Sequence, residues 1–169
     1  MELIIRTLRY RPRSPLLVMI AGVLAVYLVV SRHVVSAGIV QGDSMVPTLD
    51  EGSRYFINHY IYHLREPRRG EVVIFTHPRF DDLTVKRVIG VPGDTVELRA
   101  HQVYINGREL EELYLAARPA QPRGWRTNLV YHVPARRYFL MGDNRSHSAD
   151  SRWFGYVRRE DIKGRVIWP

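Results

Sequence analysis

A serine on a tight turn and one of only two lysines are the side chains that could together perform nucleophilic chemistry. Ser44 lies in residues 42–49 (Gly-Asp-Ser-Met-Val-Pro-Thr-Leu), where Gly and Asp tolerate unusual backbone angles and Pro47 fixes its own φ. A serine hydroxyl becomes a strong nucleophile only when a base removes its proton. On the turn alone, a purely structural role for Ser44 is an open alternative.

The lysine content singles out Lys86 as a candidate base. Among 25 Lys and Arg residues only Lys86 and Lys163 are lysines, so the chain uses arginine for almost every ordinary cation. A lysine amine can lose its proton when it is buried, whereas a guanidinium stays charged. Lys86 lies in residues 85–89 (Val-Lys-Arg-Val-Ile), where period-two alternation places it and Arg87 on opposite faces of a strand. The amine can therefore be buried while Arg87 meets carboxylates elsewhere.

Composition excludes several other chemistries. The chain has no cysteine, which rules out disulfides, thiolate zinc sites and a cysteine nucleophile. Its net charge is +8, but four arginines and one glutamate in residues 1–13 supply +3, so the remainder is only mildly basic and indicates no nucleic-acid partner. His147, Ser148 and Asp150 have the residue types of a Ser/His/Asp triad, but three residues of one loop rarely face one another as a triad requires. No metal site and no cofactor are predicted.

The chain from Gly38 onward has the pattern of short strands joined by turns. Asn106-Gly107 is a strong hairpin-turn signal, residues 142–155 form a long polar loop, and residues 109–117 have weak helical character. The pattern predicts a mainly β fold, a short-stranded open barrel or sandwich-like catalytic domain. Its predicted strands cover residues 54–57, 71–75, 83–89, 95–98, 102–105, 129–133, 137–141, 156–158 and 164–168.

An apolar run precedes this domain. Residues 15–30 carry no charge, and as a helix they span about 24 Å, slightly less than the ~30 Å hydrocarbon core of a bilayer. Flanking residues close the gap, so the sequence predicts one transmembrane helix at residues 14–35, after a basic cytoplasmic tail at residues 1–13. The preceding arginines place the N-terminus in the cytoplasm and residues 36–169 outside the membrane. A signal peptide cleaved after Val35-Ser36-Ala37 is the alternative.

Three segments taken together resemble a known family. They are residues 42–49, residues 86–94 (Lys-Arg-Val-Ile-Gly-x-Pro-Gly-Asp) and residues 142–155 (Gly-Asp-Asn-Arg-Ser-His-Ser-Ala-Asp-Ser-Arg-x-x-Gly). In order and residue type they resemble the blocks of the type I signal peptidases, which are membrane-anchored Ser/Lys endopeptidases of bacterial type. Residues 69–75 are similar to a fourth block of that family.

The resemblance implies a role for each matched position. Ser44 corresponds to the nucleophile, Lys86 to the general base, and Ser148 to a serine that hydrogen-bonds the lysine amine and orients it. The Ser44 backbone N–H corresponds to one oxyanion donor. Some members complete the oxyanion hole with a serine two residues before the nucleophile, and Gly42 at that position leaves the second donor unassigned. Met45 resembles a wall of the site, and the charged residues that resemble its bracing ion pairs are Arg87, Asp143, Asp150 and Arg152.

The resemblance also implies the function: cleavage of N-terminal signal peptides from secreted preproteins. The expected location is the cytoplasmic (inner) membrane, with a single pass and an extracytoplasmic catalytic domain. The expected partners are preproteins and the phospholipid bilayer, and the chain is expected to be a monomer. Two alternatives stay open. One is a dedicated Ser/Lys processing peptidase of the pilin-processing or self-cleaving kind, and the other is an inactive, membrane-anchored β module that binds partners.

Overall fold

The computed structural model describes residues 14–99, 102–115 and 128–167 of the chain. The chain forms two compact units, Met1–His33 and Val34–Pro169. Helix α1 (Pro15–Val34) belongs to the first unit and ends one residue into the second. Its apolar side chains, such as Leu17, Val23 and Tyr27, are exposed.

The predicted anchor at residues 14–35 is thus helical from residue 15 to residue 34. Within the described part of the chain, no helix is both long enough and apolar enough to cross a membrane. The transmembrane role of this helix therefore stays a prediction, and the predicted cytoplasmic tail at residues 1–13 lies outside the described residues.

A seven-stranded antiparallel sheet forms the centre of the second unit, with strand order β1-β2-β11-β3-β4-β9-β10. A four-stranded antiparallel sheet, in the order β7-β6-β5-β8, extends from it. The strands are β1 (Val35–Ile39), β2 (Arg54–Asn58), β3 (Val72–Thr76), β4 (Leu83–Gly90), β5 (Thr95–Arg99), β6 (Gln102–Ile105), β7 (Arg108–Glu109), β8 (Leu129–His132), β9 (Arg137–Met141), β10 (Val157–Arg158) and β11 (Ile162–Ile167). Short helices α2 (Ile61–Leu64) and α3 (Ser151–Phe154) lie between strands.

The mainly β prediction is confirmed, and most predicted strands lie within one or two residues of the observed ones. The Asn106-Gly107 turn is present, with φ of 52° and 80°, and it joins β6 to β7. Strand β1 was not predicted, because its residues continue the apolar run of the helix. The weak helix expected at residues 109–117 is wrong over its described part, since β7 ends at residue 109 and residues 110–115 are not helical.

Two free strand edges face the same cavity. Strand β1 ends the seven-stranded sheet, and β4 pairs with β9 only from Arg87 onward, so residues 83–86 keep one edge unpaired. Ile39 from β1 and Leu83 from β4 both line one cavity, although three strands separate β1 from β4 in the sheet. The sheet must therefore curl into a half-barrel, which brings the two free edges opposite each other.

Candidate active site

The turn that carries Ser44 is fixed by its own backbone and by a distant loop. The N–H of Val46 donates to the Asp43 carbonyl at 3.1 Å. The N–H of Asn144, in the loop after β9, donates to the Ser44 carbonyl at 3.1 Å. Gly42, with φ of +82°, adopts a backbone conformation that favours glycine. These bonds hold the Ser44 hydroxyl at the floor of the cavity between the two free strand edges.

Lys86 meets Ser44 at this floor. Its Nζ lies 2.7 Å from Ser44 Oγ and donates to the Val85 carbonyl at 3.0 Å. Only 4% of Lys86 is exposed. Burial lowers the pKa of the amine from its ordinary value of 10.5 to about 8, against the opposing pull of the carboxylates of Asp150 and Asp143. About one tenth of the amine is therefore neutral at pH 7, against less than about 0.1% for an ordinary lysine, and this fraction can accept a proton from Ser44.

The cavity beside the pair is small and lined by both polar and apolar groups. Its volume is about 230 Å³, and Met45, Leu49, Tyr55 and Val85 contribute to its lining. Met45 thus lies in the wall of the site, where the resemblance placed it. Such a cavity can hold one or two small side chains of an extended peptide.

A buried ion pair braces the strand that carries Lys86. Arg87 donates from Nε to one oxygen of Asp143 at 2.8 Å and from Nη2 to the other at 2.6 Å. Its Nη1 donates to the Gly70 carbonyl at 2.7 Å. Thr48, from the turn that carries the nucleophile, donates to Asp143 at 2.5 Å and accepts from Arg87 at 3.0 Å. The pair therefore links β4, the Ser44 turn and the loop after β9.

A second ion pair organises that loop. Asp150 is fully buried, and Arg152 donates to its two oxygens from Nε and Nη2, at 2.8 Å each. The same carboxylate accepts the Gly142 N–H at 3.0 Å and caps helix α3 through the N–H of Arg152. The four predicted bracing residues thus form two pairs around the site. His147 lies beside Asn144 and not beside Asp150, so the loop holds no Ser/His/Asp triad.

Ser148 differs from its expected position. Its Oγ is buried and has no hydrogen-bond partner among the described residues. The hydrogen bond to Lys86 that the resemblance implies is therefore not formed, and the hydrogen bonds of the amine go to Ser44 Oγ and the Val85 carbonyl. Ser148 packs against Gly142 so closely that a Cβ on that glycine would lie 2.2 Å from Ser148 Oγ.

Comparisons with known proteins show the family of this chain. A family model described as "Signal peptidase, peptidase S26" matches residues 13–169. The chain belongs to this family. The predicted family and activity are confirmed: the chain is a serine endopeptidase of the signal peptidase type, acting on signal-peptide-bearing preproteins.

Individual signal peptidases are similar over most of this chain. Signal peptidase I S of Bacillus subtilis is 40% identical over 164 residues, which cover 90% of this chain and 86% of the relative. A probable signal peptidase I-2 of Synechocystis is 39% identical over 149 residues, 83% of this chain and 66% of the relative. The crystal structure of a signal peptidase I from Enterococcus faecalis superimposes with a TM-score of 0.54 at 35% identity, covering 60% of this chain and 97% of that one.

Sequence reasoning missed several side chains that support this signal peptidase site. Arg145 lies within the matched segment 142–155, yet its residue type alone gave it no role. Glu112 and Tyr114 contact the buried arginines of the site, but their stretch carries no local pattern that points to partners so far along the chain. Within the described residues, no group of three or more His, Cys, Asp or Glu residues could hold a metal ion.

Proposed function

We propose that Ser44 is the nucleophile of this signal peptidase and Lys86 its general base. The observation that carries the proposal is the 2.7 Å contact between Lys86 Nζ and Ser44 Oγ at a buried amine whose pKa is lowered to about 8. The neutral amine takes the proton of the hydroxyl as Ser44 Oγ attacks the scissile carbonyl carbon. Lys86 then donates this proton to the leaving amine, and a water molecule, deprotonated by the same amine, hydrolyses the acyl-enzyme.

The developing oxyanion is proposed to accept from the Ser44 N–H. No other described residue engages this N–H, whereas the Gly42 N–H donates to Glu51 at 3.4 Å. A preorganised donor of this kind typically contributes ~3 kcal/mol of transition-state stabilisation. The buried hydroxyl of Ser148 also lies beside the nucleophile turn, next to Gly142. We propose that it reaches the Lys86 amine once Ser44 Oγ has formed its bond to the substrate.

The substrate is proposed to bind as an extended strand between the two free edges. Strands β1 and β4 run in the same direction, so one peptide can form backbone hydrogen bonds to residues 35–41 on one side and to residues 83–86 on the other. The 230 Å³ cavity beside Ser44 accepts a small side chain of that peptide next to the scissile bond. A preference for small residues at this position is what the family resemblance implies.

The N-terminal helix is proposed to hold the enzyme at a bilayer. Its described side chains are apolar and exposed, and arginines 6, 9, 11 and 13 precede it in the sequence. In this arrangement the N-terminus is cytoplasmic and the peptidase unit extracytoplasmic, in the cytoplasmic membrane. Anchoring raises the effective concentration of substrates that are themselves held by the membrane.

The test is cleavage of a preprotein with an Ala-x-Ala site by the detergent-purified full chain. Wild type is expected to release the signal peptide, and Ser44→Ala and Lys86→Ala to lose at least ~10³-fold in kcat. Lys163→Ala serves as the matched control, because it removes the other lysine and should cleave like wild type. Cleavage by either active-site variant at the wild-type rate would exclude the proposed pair.

A further inference from the structure

The segment that follows β7 contacts the buried arginines Arg87 and Arg145 near the proposed catalytic pair. We call residues 110–115 the strap. The ring of Tyr114 packs on Arg87, with the guanidinium carbon 4.0 Å from the ring centroid. Glu112 accepts from both terminal nitrogens of Arg145, at 3.2 Å from Nη1 and at a shorter distance from Nη2. The Tyr114 hydroxyl donates to Glu112 at 2.6 Å, which joins the two contacts into one unit.

Arg145 connects the strap to Gly142. Its Nε donates to the Gly142 carbonyl at 3.0 Å, while Asp150 accepts the Gly142 N–H at 3.0 Å. Two charged side chains therefore orient the peptide groups on either side of this glycine. A Cβ here would lie 2.2 Å from Ser148 Oγ and 2.5 Å from the Ser44 carbonyl. Gly142 is thus one of the points at which the loop touches the nucleophile turn.

The position of Arg145 depends on Glu112. Only 1% of the Arg145 side chain and 10% of the Glu112 side chain are exposed. A buried guanidinium that loses its carboxylate retains its desolvation cost without the compensating attraction, so it moves toward water or another acceptor. Either movement withdraws its hydrogen bond from Gly142.

We propose that Glu112 and Tyr114 are positioning residues for signal-peptide cleavage. Glu112 fixes Arg145, which donates to the Gly142 carbonyl. Tyr114 fixes Arg87, which pairs with Asp143. Through these two contacts the strap holds the Ser44 turn against Lys86. The inference rests on the proposed roles of Ser44 and Lys86. It assigns function to two residues outside the three segments that carry the family resemblance. A strap that served only the stability of the fold would leave the turnover of correctly folded enzyme unchanged.

The experiment compares Glu112→Gln with Glu111→Gln in the full-length, detergent-purified chain. The second variant neutralises the exposed neighbouring carboxylate on the same strap and is the matched control. Both are assayed well below their melting temperatures, and kcat is normalised to the concentration of active sites titrated with a serine-directed probe. Glu112→Gln is expected to lower normalised kcat about 10- to 100-fold with KM within about twofold of wild type, since displacement of a catalytic group by ~1 Å costs up to ~10²-fold. Glu111→Gln is expected to match wild type.

Two variants of Tyr114 provide an independent test in case Glu112→Gln does not fold. Tyr114→Phe keeps the ring on Arg87 and loses only the hydroxyl, so its normalised kcat is expected to stay within about threefold of wild type. Tyr114→Leu removes the ring and is expected to lose about tenfold. Retention by Phe combined with loss by Leu assigns the effect to the ring on Arg87 and not to the hydroxyl on Glu112.

The outcomes separate this inference from the proposed function. Wild type and Ser44→Ala are measured first, and an active Ser44→Ala would exclude the catalytic pair before the strap is considered. With the pair established, a normalised kcat within twofold of wild type for both Glu112→Gln and Tyr114→Leu would overturn the positioning role. A rise in KM with unchanged kcat would overturn it as well, since it would place the strap in substrate binding.

Discussion

The pH dependence of turnover follows directly from the burial of Lys86. The base is active when deprotonated, so activity rises as pH passes through its pKa of about 8. With that pKa, the neutral fraction of the amine is about 9% at pH 7, about 50% at pH 8 and about 91% at pH 9. We therefore expect kcat to increase about tenfold from pH 7 to pH 9 and to change little above pH 9.

The assay is single-turnover cleavage of a quenched fluorogenic peptide with an Ala-x-Ala site, from pH 6 to pH 10 at constant ionic strength. Single turnover isolates the chemical step from product release. Lys163→Gln is the control, because the Lys163 amine is outside the site and donates to the Glu160 carbonyl. This variant should show the same profile as wild type.

Two results would refute the reasoning. A profile that is flat between pH 6 and pH 10 would mean that no group with a pKa near 8 limits the reaction. A midpoint near 10.5, the ordinary value for lysine, would mean that Lys86 is solvated during turnover and that its burial is lost when the substrate binds.

Two further substitutions test the packing around the nucleophile. Gly142→Ala places a Cβ 2.5 Å from the oxygen of the Ser44 backbone carbonyl, which cannot rotate away. We therefore expect kcat of the folded variant to fall at least ~10²-fold, and unaltered turnover would contradict the contact. Ser148→Ala removes a buried hydroxyl that has no partner among the described residues, so the free energy of unfolding should rise by ~1 kcal/mol in a urea titration; a decrease would show that the hydroxyl is bonded.

The family and the activity were predictable from the sequence because three matching segments occur in the expected order. The turn of Ser44 alone left a structural role open, and the scarcity of lysine in an arginine-rich chain singled out Lys86 as a candidate base. Most strands were predictable for a similar reason, since β-branched runs bounded by Gly and Pro are local signals. The alternation in β4 also correctly gave Lys86 and Arg87 different partners, namely Ser44 for the lysine and Asp143 for the arginine.

The features that the sequence did not predict depend on contacts between residues far apart in the chain. Strand β1 has no strand pattern of its own, and it forms because β2 offers a partner edge for residues 35–39. Weak helical character is predicted for residues 109–117, but in the strap the tertiary contacts of Glu112 and Tyr114 override that propensity. The Ser148 hydrogen bond depends on the directions of two side chains, which residue type does not specify.

Burial of the Lys86 amine also affects the energetics of folding. Between pH 8 and pH 10.5 the unfolded chain holds a proton on Lys86 that the folded chain has released, so the free energy of unfolding increases with pH across this interval. The full shift corresponds to about 3 kcal/mol, and below pH 8 this penalty on the folded state is present in full. The proton that Lys86 must lose to act as a base is therefore the same proton whose loss increases the free energy of unfolding. At this residue, alkaline conditions favour stability and turnover together, so neither is gained at the expense of the other.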